Sequence, residues 1–302
     1  MLVAIEFFAL MTVPRYHVVT GERHVWMGAY LGEGLPMADE LDDIREKEEA
    51  NYKTSLKVLG DSVSLVEDLL DVHALITKTA ARSRLILKPE YYVTLHFSLA
   101  ARYYLTIGTL AALRAHPTDA VRNGRMAIEC AAFAARVKAN PDMAPVWIDA
   151  GLSDEAYERY LKVFSSGKIF PDEHPVLREL GRRFDTTSKL SHPSLYALAQ
   201  HVRIGKTDTG VEVMFHYFPV DKPSLTEPAR TFFWTVDTHF GAVRVFVDVL
   251  ARLLERERAV IDVRVNAIDA KLTLHKNRWR EAILRKPDKS VDPSALIVIP
   301  PF

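Results

Sequence analysis

The segment from Glu90 to Arg114, EYYVTLHFSLAARYYLTIGTLAALR, constrains this chain more than any other. Its twenty-five residues suit a helix and hold only three formal charges, Glu90, Arg102 and Arg114. A helix apolar on nearly every side is expected to be a central, buried one, with other helices wrapped round it. Pro89 sets it off from the preceding helical pattern. His116-Pro117-Thr118 then makes a short turn, with Thr118 the expected N-cap of the next helix. Residues 119–138 carry Gly124, Ala127, Ala131, Ala132, Ala134 and Ala135. Such small side chains let helix axes approach towards the low end of the ~8–10 Å range. So short a connection forces the two helices into an antiparallel pair.

Much of the remaining chain repeats the helical period. Residues 37–59 are charged and helix-prone, and Leu65, Val66, Leu69, Val72 and Ile76 follow at 3–4 spacing. Ser153 with Asp154 and Glu155 opens another helix, since acids suit the positive helix start. Pro175 opens the next, with Val176, Leu177, Leu180 and Phe184 inward and Pro193 at its close. Thr226-Glu227-Pro228 starts a long helix to about Arg258, and a last one covers about 260–285.

Three stretches differ. Residues 1–36 read as short strands or irregular structure, ending at Gly32, Gly34 and Pro36. In 200–219, Val202, Ile204, Val211, Val213, Phe215 and Tyr217 alternate with polar residues around Asp208-Thr209-Gly210, a β-hairpin signal. Residues 287–302 are a tail whose 295–299 stretch is apolar and rich in β-formers. The expected architecture is mainly α: one domain over 1–302, with a helical bundle in 37–199 and 226–286. A small β-hairpin insertion and short apolar terminal strands complete it, and at least one of those strands is expected to pair.

Composition narrows the function classes. The chain has 302 residues, 48% of them hydrophobic, and a length that buries roughly 75% of the unfolded surface. Lys plus Arg equals Asp plus Glu at 39 each, so no overall field gathers nucleic acid or anionic lipid. The single cysteine, Cys130, rules out an intrachain disulfide and zinc fingers or ribbons, and points to a reducing, cytoplasmic setting. No run reaches the ~18 uncharged apolar residues of a membrane helix. The best, near 236–250, is broken by Asp237, Arg244 and Asp248. The first fourteen residues lack a basic n-region and a cleavage site, and are read as a strand rather than a signal peptide.

Familiar motifs fail. Gly205-Lys206-Thr207 lacks the earlier glycine and the following helix of a phosphate-binding loop. Gly32-Glu33-Gly34 lacks the third glycine of a dinucleotide site. No His-Glu-x-x-His or Gly-x-Ser-x-Gly is present, and neither a metal nor a cofactor is expected. His73 lies on an apolar stripe and is read as a core histidine bonded to backbone. Cys130, among alanines, is read as a small buried hydrophobe.

Two constellations remain. Arg122, Arg125, Glu129 and Arg136 share one helical stripe, read as a solvated face or as a polar seam against another helix. Phe184 to Ser194 is a helix end dense in hydroxyls, with Ser188, Ser191 and His192. His192 near a helix end is read as capping or as functional.

Together these stretches resemble a bacterial all-helical family related to the HEPN superfamily. The matching residues are Arg125-Met126-Ala127-Ile128-Glu129, then Asn140-Pro141-Asp142 and Trp147, then Phe184 through Ser194 with Ser188 and His192. The resemblance covers roughly residues 90–255 and implies an HEPN-like helical core. It also implies metal-independent RNA cleavage, with Arg125 and Glu129 beside His192 as acid/base. HEPN nucleases separate the Arg from the His by four to six residues, and here eight residues separate Arg183 from His192. The expected function is therefore a cytoplasmic helical scaffold or binding protein of a bacterial stress or defence type. A divergent ribonuclease is the alternative.

Charge is also segregated. Residues 38–50 hold seven acids against Arg45 and Lys47, and residues 271–289 hold seven bases against Glu281 and Asp288. Within the basic stretch, Lys276, Arg278, Trp279 and Arg280 are candidates for RNA contact, Trp279 as a stacking platform. The preferred functional reading pairs the acidic and basic segments with each other, within one chain or across a homo-oligomer.

Overall fold

The structure, a computed structural model, describes residues 19–20, 23–24, 37–165, 169–170, 174–191, 202–207, 210–215 and 226–285. It is mainly helical: α1 Met37–Leu59, α2 Ser64–Arg82, α3 Pro89–Leu113, α4 Pro117–Ala139, α5 Met143–Asp149, α6 Asp154–Ser165, α7 Pro175–Ser191, α8 Thr226–Val249 and α9 Arg258–Arg285. Outside the helices, backbone pairs antiparallel at Val19–Thr20 with Arg23–His24, and at Val202–Thr207 with Gly210–Phe215. The side chains there lie outside the described residues, so the expected hairpin is carried no further than its backbone register. The terminal segments 1–9 and 295–299 also lie outside the described residues.

The helices share one apolar cluster. It runs from Leu65, Leu69 and Ile76 on α2, through α3 and the small residues of α4, to Phe232, Phe233 and Phe246 on α8 and Ile268 and Leu272 on α9. α3 and α4 form the most extensive pair, as their short connection requires. At that connection the Ala115 backbone is left-handed, at φ 64°. The His116 N–H reaches the Ala111 carbonyl at 2.8 Å, and the Ala115 N–H reaches that of Ala112 at 3.2 Å. That is a Schellman ending, with alanine where glycine is usual. Pro117, not Thr118, opens α4: its missing N–H is an orphan at a helix start anyway, and His116 occupies the cap position.

α4 lies against α3, α7 and α8. Its small residues allow that: a Cβ at Gly124 would run into the Trp234 ring of α8. α8 is the central helix. Between Ala229 and Leu250 every residue is buried except Arg230, Asp237, Arg244 and Asp248. It stops at Val249 instead of continuing to Arg258, because the chain turns into a 3-10 helix at Ala251–Leu253, flanked by the buried Leu250 and Leu254. Arg258, past that turn, donates to the Val247 carbonyl at 3.0 Å, satisfying one orphan acceptor of the α8 end.

α3 is not the fully buried helix its composition suggests. Tyr92, Leu99, Tyr103 and Ile107 are exposed, Tyr103 by 62%, while Val93, Phe97, Ala101 and Leu105 are buried. The helix is apolar on both faces, and among the described residues only one of them is fully covered.

Candidate functional site

The four residues of the α4 stripe are put to three separate uses. Arg122 is exposed and lies 3.6 Å from Asp119. Arg125 lies 3.6 Å from Glu129, and its guanidinium sits over the Phe184 ring of α7, 4.5 Å from the centroid. Arg136 reaches to α6 and donates to the Phe164 and Val163 carbonyls at 2.8 and 3.1 Å, capping that helix end. Arg125 thus meets α7 through Phe184, with Glu129 paired to it. Burial raises the Glu129 carboxyl above its usual range, with Arg125 opposing. The Tyr160 hydroxyl is raised too, first by burial and then by Tyr157 and Glu129. His192 lies outside the described residues, as do the side chains of Ser188 and Ser191. Whether the imidazole joins the Arg125–Glu129 pair is therefore not part of the described geometry.

The basic stretch of α9 divides by face. On one side it docks onto α2 and the turn before it. His275 Nδ1 is 2.9 Å from the Ser62 hydroxyl, Trp279 donates to the same oxygen at 3.2 Å, and Lys271 pairs with Asp68 at 2.5 Å. The Trp279 ring is partly buried and packs near Phe233, so its face is not an open stacking platform. The apolar stripe that seats Trp279 was hidden in the sequence among the surrounding bases. Arg278 and Arg280 are exposed. Lys276 faces α8, 3.2 Å from Asp237. Among the described residues, Lys271 and Lys276 of α9 pair with Asp68 and Asp237, not with the acids of 38–50. Those acids pair locally, as in Asp42–Arg45 and Glu49–Lys53, or with His116, as Glu48 does at 2.7 Å.

Asp237 is the centre of an arrangement that sequence reasoning missed. Its carboxylate is 12% exposed and holds Arg183 of α7 as well as Lys276 of α9. The three helices flank an open cleft of about 460 Å³. Leu180, Phe240, Gly241 and Leu272 form its apolar floor, and Arg183, Arg244, Lys276 and Arg280 stand on its walls. The available signal was the set of charges that interrupts the apolar run of 236–250. Asp237 and Arg244 are seven residues apart and face the cleft together.

A third polar cluster is sealed inside. His73 of α2 bonds side chains rather than backbone: its Nδ1 is 3.2 Å from His239 Nε2, and its Nε2 is 2.9 Å from the Ser98 hydroxyl. All three residues are buried, so no substrate reaches the serine. Burial pushes the His73 pKa down to about 3, aided by Arg102, and the His239 pKa falls well below its usual value for the same first reason. Cys130 is buried, and burial pushes its thiol up to about 12, the behaviour of an inert core residue.

Among the described residues, no group of three His, Cys, Asp or Glu is placed to hold a metal ion, and no helix is long and apolar enough to cross a membrane. Comparison with protein-family models, with curated proteins and with solved structures gives no match.

Proposed function

We propose that the chain is a cytoplasmic helical scaffold, with an HEPN-like single-domain core, that assembles through the outer face of α3. The observation that carries this reading is the stripe of exposed Tyr92, Leu99, Tyr103 and Ile107, with half-buried His96 and Ala100 between them. Its spacing is palindromic. Tyr92 and Ile107, His96 and Tyr103, Leu99 and Ala100 each lie at equal distances from a midpoint between residues 99 and 100. An antiparallel second copy of α3 therefore offers a partner to every member of the stripe, the self-complementarity that a two-fold dimer needs. The stripe holds no charged residue, which disfavours an acidic or basic partner. It spans about 22 Å at ~1.5 Å per residue. A single seam of that length buries less than the ~800 Å² per partner of a standard interface, so the association is weak and concentration-dependent.

Sedimentation velocity over a rising concentration series tests it. The native chain shifts from monomer to dimer equally at low and high salt, and Leu99→Glu stays monomeric with an unchanged melting temperature. A salt-sensitive dimer that ignores Leu99→Glu would instead favour pairing of the 38–50 and 271–289 segments.

The alternative, a divergent ribonuclease using Arg125, Glu129 and His192, draws support from the raised Glu129 carboxyl, since perturbed acids gather at reactive sites. RNA cleavage abolished by His192→Ala would establish it.

A further inference from the structure

We infer that the cleft between α7, α8 and α9 binds a small organic anion with a flat apolar body, its carboxylate, phosphate or sulfonate head against the cationic wall. The argument starts from charge placement. Solvated cations on a surface lower their energy by spreading apart, because like charges repel. Here Arg183 and Lys276 are drawn to one carboxylate, Asp237. Arg280 follows one helical turn after Lys276 on the same wall. Two carboxylates, Asp237 and Glu179, stand among these three cations, which leaves a net excess of one positive charge at this end of the cleft. Glu179 engages Arg183 at 3.5 Å, and Asp269 and Arg244 also line the cleft.

The walls would be an ordinary solvated surface without the floor. Leu180, Phe240 and Leu272 pack tightly as its apolar base, each at most 6% exposed, and Pro175 and Val176 of α7 add the more open apolar surface. α7 sits close to α8 because Gly241 has no side chain: a Cβ there would stand 2.9 Å from Leu180 Cδ2. The Arg244 guanidinium lies over the Phe240 ring, 5.8 Å from its centre. Thr273 and Asn277 add hydrogen-bonding groups on the α9 wall. A concave apolar floor with a few convergent polar groups is the usual make-up of a small-molecule site, and about 460 Å³ lies within the ~300–1,000 Å³ such sites occupy. Asp237 acts as a positioning residue. It holds two cations in place before the ligand arrives, so less side-chain entropy is lost on binding. An anionic head adds charge-assisted bonds to those cations, and the flat body covers the floor.

Anilinonaphthalene sulfonate has this chemistry and is the probe. Titrated into the full chain, its fluorescence should saturate at one site per chain, and phenyl phosphate should displace it. The double variant Arg244→Gln/Arg280→Gln removes two exposed cations and leaves Asp237 and its partners in place. It should weaken the probe about tenfold at an unchanged melting temperature, and higher salt should weaken the native complex alike. Leu99→Glu, on the uncovered face of α3, should leave the affinity as it is. Unchanged affinity in the double variant overturns the inference, and so does loss of the signal in Leu99→Glu, which would put the probe on α3.

Discussion

Residue by residue, the most consequential group is the sealed chain Ser98–His73–His239. Both imidazoles are neutral when folded, and the chain can be satisfied in two polarities. Either His73 Nδ1–H donates to His239 while Ser98 donates to His73 Nε2, or both bonds reverse. An added proton is disfavoured because it would place a positive charge in a fully buried site. The unfolded chain titrates these rings near 6.5, whereas folded His73 stays neutral down to about 3 and folded His239 to well below its usual value. The unfolded state therefore binds more protons below pH 6.5. The stability is fully present above that pH and falls as the pH drops from 6.5 towards 3, by at most ~1.4 kcal/mol per pH unit for each ring. Denaturant unfolding at pH 7.5 and 5.5 should show a loss of roughly 1–2 kcal/mol that His73→Phe/His239→Phe abolishes. Equal stability at the two pH values would mean that the rings are protonated in the fold. The 3–4 spacing of α2 reveals that His73 faces inward. It does not reveal that the partner is another histidine 166 residues away, since side-chain pairing between helices leaves no local pattern.

Among the elements, helix order and type were the legible part. Periodicity places α2, α3, α4 and α7, and the prolines at 89, 117 and 175 each stand at a helix start. The ends were less legible, because they depend on distant acceptors. α8 stops short of Arg258, which instead caps that helix from the next one. At the α3 end Ala115 holds a left-handed conformation that disfavours any residue with a Cβ. Ala115→Gly should relieve that strain, less the extra entropy of glycine in the unfolded chain. We expect a net gain of roughly 0.5–1 kcal/mol, read as a higher midpoint in thermal unfolding. A lower midpoint would show that the alanine methyl contributes packing worth more than the strain. The expectation that α3 is central failed for a simple reason: hydrophobicity marks a face that is covered, whatever covers it. In this chain α8 is the enclosed helix, and its charges, which read as mere interruptions, are what it presents to the cleft.

For the molecule as a whole, two surfaces stand apart: the uncovered apolar face of α3, and the cleft between α7, α8 and α9. Sequence reasoning named Lys276 and Arg280 of the cleft for their place in a basic run, and missed Arg183, Asp237 and Arg244, which tertiary packing brings to them. It named Arg125, which meets α7 through Phe184, and Glu129, which pairs with Arg125, while the His192 they were matched with lies outside the described residues. The central claim concerns α3, and single-cysteine crosslinking tests it most directly, because native Cys130 is buried with its thiol raised and contributes no background. In an antiparallel dimer, residue 99 lies beside its own copy next to the two-fold axis, while the two copies of residue 107 stand about 22 Å apart at ~1.5 Å per helical residue. Under mild oxidation Leu99→Cys should form a disulfide-linked dimer and Ile107→Cys should remain monomeric. Crosslinking at both positions, or at neither, would contradict the account.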